Sequence, residues 1–179
     1  GYAFDESGGD VLSGSIAGNG SLVLKIYFKE QFTVTYEPGV RGTFVAQTTG
    51  GLDYGVDTPA FNGEPAGAAG YKFAGWSPEV AETVTGNATY VAQWSANTDT
   101  KYTVEWYYEE NGEYPEEATR SVERTGETDK EATVTEEDRT APDGYAFDES
   151  AGNVLSGNIA GNGSLVLKIY FKEQFTVTY

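Results

Sequence analysis

Residues Gly1–Tyr36 and Gly144–Tyr179 carry the same sequence except that Gly8, Asp10 and Ser15 of the first copy are replaced by Ala151, Asn153 and Asn158 in the second. The match is ungapped, at a fixed offset of 143 residues. Offsets of about 20–50 residues mark solenoids whose units share one continuous core, whereas an offset this long leaves room for one or two complete domains per period. A single core is therefore not expected. The repeat predicts an elongated tandem array of separate small modules in the order A–B–A–B.

Strand signals dominate within the period. "SLVLKIYF" (21–28) and "FTVTY" (32–36) alternate large and polar residues and are rich in β-branched and aromatic types. In the first of these, Leu22, Leu24, Ile26 and Phe28 share one face, so that face is expected in a core. Asn19-Gly20, repeated as Asn162-Gly163, predicts a tight turn just before it, because both residues tolerate positive φ. Further along, "GYKFAGWSP" (70–78) and "TGNATYVAQW" (85–94) place Tyr71, Phe73, Trp76, Tyr90 and Trp94 in a candidate aromatic core. From Lys101, "YTVEWYYEENGEY" reads as a strand that turns at Asn111-Gly112 into a second strand over 118–126. Helix is confined to one or two turns within "TDKEATVTEEDR" (128–139). That segment has capping-box spacings from Thr128 to Glu131 and from Thr135 to Asp138, and Pro142 and Gly144 end it.

The boundaries follow. Residues 1–30 are expected to be the back half of a B module whose front half lies upstream. Residues 31–95 form a complete A module, 96–100 a short polar linker read as flexible, 101–173 a complete B module, and 174–179 the first strand of the next A module. The chain is thus expected to be a window on a longer protein.

Composition narrows the chemistry. The chain contains no Cys, His or Met. Disulfides, Ser-His or Cys-His nucleophiles and the usual zinc ligand sets are ruled out. A formal net charge of −17 opposes nucleic acid and anionic membranes, and no apolar run is long enough to predict membrane insertion. Carboxylate pairs occur at Glu109-Glu110, Glu116-Glu117 and Glu136-Glu137-Asp138, but neighbouring strand residues point to opposite faces, which is poor geometry for a general acid and base. "DESGGD" (5–10) is acidic and Gly-rich but lacks the spaced calcium-loop pattern, and the second copy reads "DESAGN" with one carboxylate fewer. No metal, cofactor or catalytic residue is assigned. Asn19, Asn87 and Asn162 satisfy the N-x-[ST] pattern, and for Asn19 and Asn162 turn geometry explains the Asn. Lys25 and Lys168 fall opposite the Leu/Ile face, the wrong side for a buried Lys-Asn cross-link. The one ligand-binding candidate is Tyr107. If Tyr102, Val104, Trp106 and Tyr108 face inward, Tyr107 faces outward with Thr103 and Glu105, where an exposed ring can stack on a sugar.

Two family resemblances cover nearly the whole chain. "FTVTYEPG", "GYKFAGWSPEV" and "VTGNATYVAQW" together resemble the Listeria-Bacteroides repeat, or internalin B-repeat. The B module, with "YTVEWYYEENGEY", "RTGETDKEATVTEED" and "GYAFD", resembles the MucBP-like repeats of Gram-positive surface proteins. These resemblances imply a mainly β, α+β fold of small β-grasp-like modules, arrayed on an extracellular bacterial cell surface and attached to the cell wall through other parts of the parent chain. They carry no catalytic motif. The expected role is a non-enzymatic stalk or fibre that presents an adhesive or other functional domain, with neighbouring repeats of the same chain as its partners. The alternatives are MucBP-like modules that themselves bind host mucin glycans or proteins, and a self-associating filament subunit.

Overall fold

A computed structural model describes residues 1–175. The expected strand at 174–179 lies largely outside the described residues. Among those described, the chain forms strands and turns with no helix, so the mainly β expectation holds. It falls into two compact units, one of Gly1–Gly67 with Phe73–Gln93, the other of Ala68–Lys72 with the residues from Trp94 on.

At the start of the chain, β1 (Tyr2–Phe4) pairs antiparallel with β2 (Phe28–Glu30). The sheet that follows contains β3 (Phe32–Glu37), β4 (Gln47–Leu52), β5 (Tyr71–Ser77) and β6 (Ala88–Ala96), in the order β4-β3-β6-β5. β3 runs antiparallel to β4 and parallel to β6. The alternation in β3 turns Val34 and Tyr36 inward to join Val84 and Tyr90 in the core. Tyr36 is its centre, with Trp76, Tyr90 and Phe61 rings at 4.7, 5.3 and 5.8 Å. Its hydroxyl donates to Pro59 O at 2.8 Å, so the buried phenol is satisfied. Of the predicted aromatic core, Trp76 and Tyr90 are present and Phe73 packs on Trp76 at 5.1 Å. Tyr71 and Trp94 are half-buried, and Tyr36 and Phe61 join the cluster. β4, "QTTGGL", has no apolar alternation to announce it and exists through its ladder to β3.

In the second unit, β7 (Thr100–Tyr108) pairs antiparallel with β8 (Arg120–Gly126), and β9 (Glu131–Thr133) follows. β10 (Tyr145–Phe147), β11 (Ser156–Asn158) and β12 (Val166–Glu173) complete it. The main sheet has the order β10-β12-β7-β8, with β12 parallel to β7, while β11 pairs with β9 in a small separate sheet. Both four-stranded sheets thus have a parallel central pair, β3 with β6 and β7 with β12, with β4 beyond β3 and β8 beyond β7. Leu167, Ile169 and Phe171 of β12 and Val104 and Trp106 of β7 alternate into the core, where Tyr102, Ala132 and Ile159 join them. The turn at Asn111-Gly112 has positive φ at both residues, 53° and 85°, as a mirror-image hairpin turn requires, and is closed by Glu110 and Glu113.

The predicted helical turns at 128–139 resolve differently. β9 takes residues 131–133, and the Thr128–Glu131 box does not form. Thr128 is instead buried, with its hydroxyl 2.7 Å from that of Thr100. Tertiary pairing overrides local propensity here. The second spacing does close: Thr135 N–H donates to Asp138 Oδ2 at 2.8 Å, and Asp138 N–H donates to Thr135 Oγ1 at 3.1 Å, around a single turn. At 96–100, β6 runs to Ala96 and β7 starts at Thr100. Within the second unit, Asn97 N–H donates to Gly70 O at 2.8 Å and Asn97 O accepts from Thr128 N–H at 2.9 Å. The segment read as a flexible linker therefore holds strand and hydrogen-bonded residues.

Candidate functional site

Tyr107 lies on the outer face of β7, as the alternation predicts, but the expectation that it is exposed is corrected: it is only 5% accessible. The cause is the parallel neighbour. β12 sets Tyr170 directly opposite Tyr107, and the two rings stack with centroids 4.7 Å apart and planes 14° apart. Lys168, also on that face, brings its ammonium to 5.5 Å from the Tyr107 centroid. Tyr114, from the loop after β7, packs edge-on against Tyr170 at 5.0 Å. No free ring face is left on Tyr107.

The polar atoms of the cluster are satisfied internally. Tyr107 Oη donates to Glu105 Oε2 at 2.7 Å, and burial, with that carboxylate, pushes its phenol up to about 12. Tyr114 Oη donates to Asp148 Oδ2 at 2.8 Å, and burial above all, then the Asp148 carboxylate, raises its phenol as well. Asp148 Oδ1 accepts from Ser150 Oγ at 2.6 Å and Ser150 N–H at 2.9 Å. These bonds, led by that of the Ser150 hydroxyl, hold its carboxyl down at about 2. Both tyrosines are thus neutral donors at physiological pH and Asp148 is a fixed acceptor. The arrangement closes the outer face of the sheet as a structural brace.

The acidic loops follow the same logic. Asp5 Oδ1 accepts from Ser7 N–H and Oγ, as Asp148 does from Ser150. Asp10 Oδ1 accepts Tyr27 N–H at 2.7 Å, and Asn153 Oδ1 accepts Tyr170 N–H at 3.0 Å. Asn153 adds what a carboxylate cannot, a donated bond to Asp148 O at 2.7 Å. Among the described residues no group of three or more His, Cys, Asp or Glu is placed to hold a metal ion. Asn19 and Asn162 accept the N–H of Ser21 and Ser164, as their turn role predicts, and Asn87 accepts Thr33 N–H at 2.8 Å.

One network escaped the sequence. Arg124 on β8 donates through both terminal nitrogens to Asp138, at 2.8 and 2.5 Å, and Trp106 Nε1 donates to Asp138 O at 2.9 Å. Asp138 is buried, and the Arg124 guanidinium, ahead of the Thr135 bonds, draws its carboxyl down to about 2. The Thr135–Asp138 spacing was its only local sign. Glu116, Glu117, Glu136 and Glu137 are exposed.

Comparison with protein-family models, curated proteins and solved structures finds no match to this chain. Among the described residues no helix is long and apolar enough to cross a membrane.

Proposed function

We propose that this chain is a non-enzymatic tandem-repeat segment of a bacterial cell-surface protein, an extended stalk or fibre whose modules connect or project a functional domain. The observation that carries the reading is the recurrence of residues 1–36 at an offset of 143, in a chain that holds two small four-stranded sheets of the same strand order. The resemblances to internalin B-repeats and MucBP-like repeats support it. So does the helix-free sheet with a parallel central pair, a β-grasp-like arrangement without its helix. On this reading the segment has no catalytic residue and no cofactor, its partners are adjoining repeats, and its setting is extracellular, with attachment to the wall through other parts of the parent protein. Mucin-glycan binding by the B module ranks second, because the exposed ring it would use, Tyr107, is covered.

The experiment is small-angle scattering on chains of one, two and four periods. A stalk lengthens in proportion to the number of periods, whereas collapse into a globule, with the largest dimension growing only as the cube root of mass, would end the reading. Glycan-array binding by the chain, lost on Tyr107→Ala with folding intact, would promote the adhesive alternative.

A further inference from the structure

With 28 acidic and 11 basic side chains, this chain offers most of its cations a carboxylate partner. Lys29 bonds Asp53, Lys101 bonds Glu123 and Arg124 bonds Asp138. Arg120, the first residue of β8, has no such bond: among the described residues its guanidinium makes no ion pair and no hydrogen bond. What it meets is the Trp106 ring, whose centroid lies 4.5 Å from Arg120 Cζ.

The pairing of β7 with β8 dictates that contact. Trp106 and Arg120 stand directly opposite each other in the antiparallel register, so their side chains share one face of the sheet. A guanidinium over an indole is held by the ring's face, and its N–H edge stays free to donate. Arg120 and Trp106 line a pocket of about 160 Å³ with Arg124, Glu137, Asp138 and Thr140, all within the second unit. Arg124 and Asp138 neutralise each other there through bonds at 2.8 and 2.5 Å. The pocket is thus left with one uncompensated, oriented guanidinium, and Glu137 is an exposed carboxylate on its lining.

We propose that this pocket is a binding site for a carboxylate group, held by the Arg120 fork with the Trp106 ring as its platform. A planar guanidinium matches the two oxygens of a carboxylate, and a neighbouring neutralised pair adds no repulsion of either sign. The volume sets the size of what is recognised. Pockets that enclose a whole organic ligand run to about 300–1,000 Å³, so this smaller one takes a small carboxylate or the carboxylate end of a larger molecule. A stacked ring is not the recognised part, because Trp106 is buried with Arg120 over its face. Glu137 has the ligand's own sign and opposes it, which holds the affinity down. The site rests on the second unit alone, and its failure would leave the stalk reading untouched.

The test follows by NMR the Trp106 indole N–H, which donates to Asp138 O at the pocket wall, while the full chain is titrated with sodium acetate. Sodium chloride at the same ionic strength and neutral acetamide are the controls, and a saturable shift with acetate alone is expected. Arg120→Gln should weaken acetate binding by about tenfold or more, and Arg120→Lys, which keeps the charge without the fork, should recover only part of the loss. Glu137→Gln should strengthen binding by about two- to fivefold. Glucuronate and N-acetylglutamate α-amide then separate the two sources of a carboxylate, a sugar acid and a protein side chain, the tighter binder naming the source. The proposal is overturned if chloride or acetamide reproduces the acetate shift, if folded Arg120→Gln titrates as the parent chain does, or if Glu137→Gln weakens binding.

Discussion

Residues 16–28 and 159–171 have the same sequence, yet Ile16, Leu24, Ile26 and Phe28 lie in solvent while Ile159, Leu167, Ile169 and Phe171 form the centre of a core. Local propensity is the same in both. What differs is a partner strand: β12 is an eight-residue strand lying parallel to β7, while its counterpart β2 is assigned only over its last three residues, where β1 holds it. Full burial of a Leu, Ile or Phe side chain contributes about 1.5–3 kcal/mol. In these copies that free energy is realised or forfeited by a segment well removed in sequence. Strand propensity here is the capacity to complete a sheet, and it is expressed only where a sheet is offered.

The largest test of the contrast is a matched pair of truncations. Leu167→Ala should cost about 2–5 kcal/mol in denaturant unfolding of the second unit, and Leu24→Ala about 0.5 kcal/mol or less, because only the first leaves a cavity. Equal costs would mean that the first copy is buried too. Next comes the front half itself. Asp138→Asn strips Arg124 of its ion-pair partner and should cost about 2–3 kcal/mol. It should raise exchange at Val166–Phe171 without changing Val23–Phe28. The same pair gives a pH signature. Asp138 binds its proton less tightly folded than unfolded, so its contribution is intact above about pH 4 and is lost as pH falls through about 2, a loss absent in the variant.

A second pair concerns glycines. A Cβ on Gly161 would stand 1.9 Å from Ala69 O within the second unit, whereas one on Gly18 would meet nothing within 4 Å. Gly161→Ala should therefore cost about 1–3 kcal/mol and Gly18→Ala about 0.5 or less, read by thermal unfolding. Smallest is the loop exchange. Asn153→Asp removes the bond donated to Asp148 O and should cost about 1 kcal/mol, while Asp10→Asn should be neutral or slightly stabilising.

Much of the sheet structure was legible because alternation is a local signal: 32–37, the inward face of β7 and the turn at Asn111-Gly112 all follow from spacing and turn chemistry. What escaped depends on contacts distant in sequence. β4 has no alternation and is defined by pairing with β3. Thr128–Thr133 carries a capping spacing yet meets Thr100 and β11, which pull it into extended structure. Tyr107 was placed on the correct face, but its exposure depended on Tyr170, a parallel-strand neighbour more than sixty residues away in the chain. Asp138 appeared as a minor cap because Arg124, on another strand, could not be paired with it from spacing alone.

The claim that a partner strand, and not local sequence, decides burial is tested most directly by native-state amide exchange in the unmodified chain. From Ile16 to Gln31 and from Ile159 to Gln174 the residues are identical, so their intrinsic exchange rates are equal and any difference in measured rate is protection alone. The account predicts strong protection at Leu167, Ile169 and Phe171 and exchange close to the unprotected rate at Leu24 and Ile26. Equal protection at the two sets of positions would contradict it.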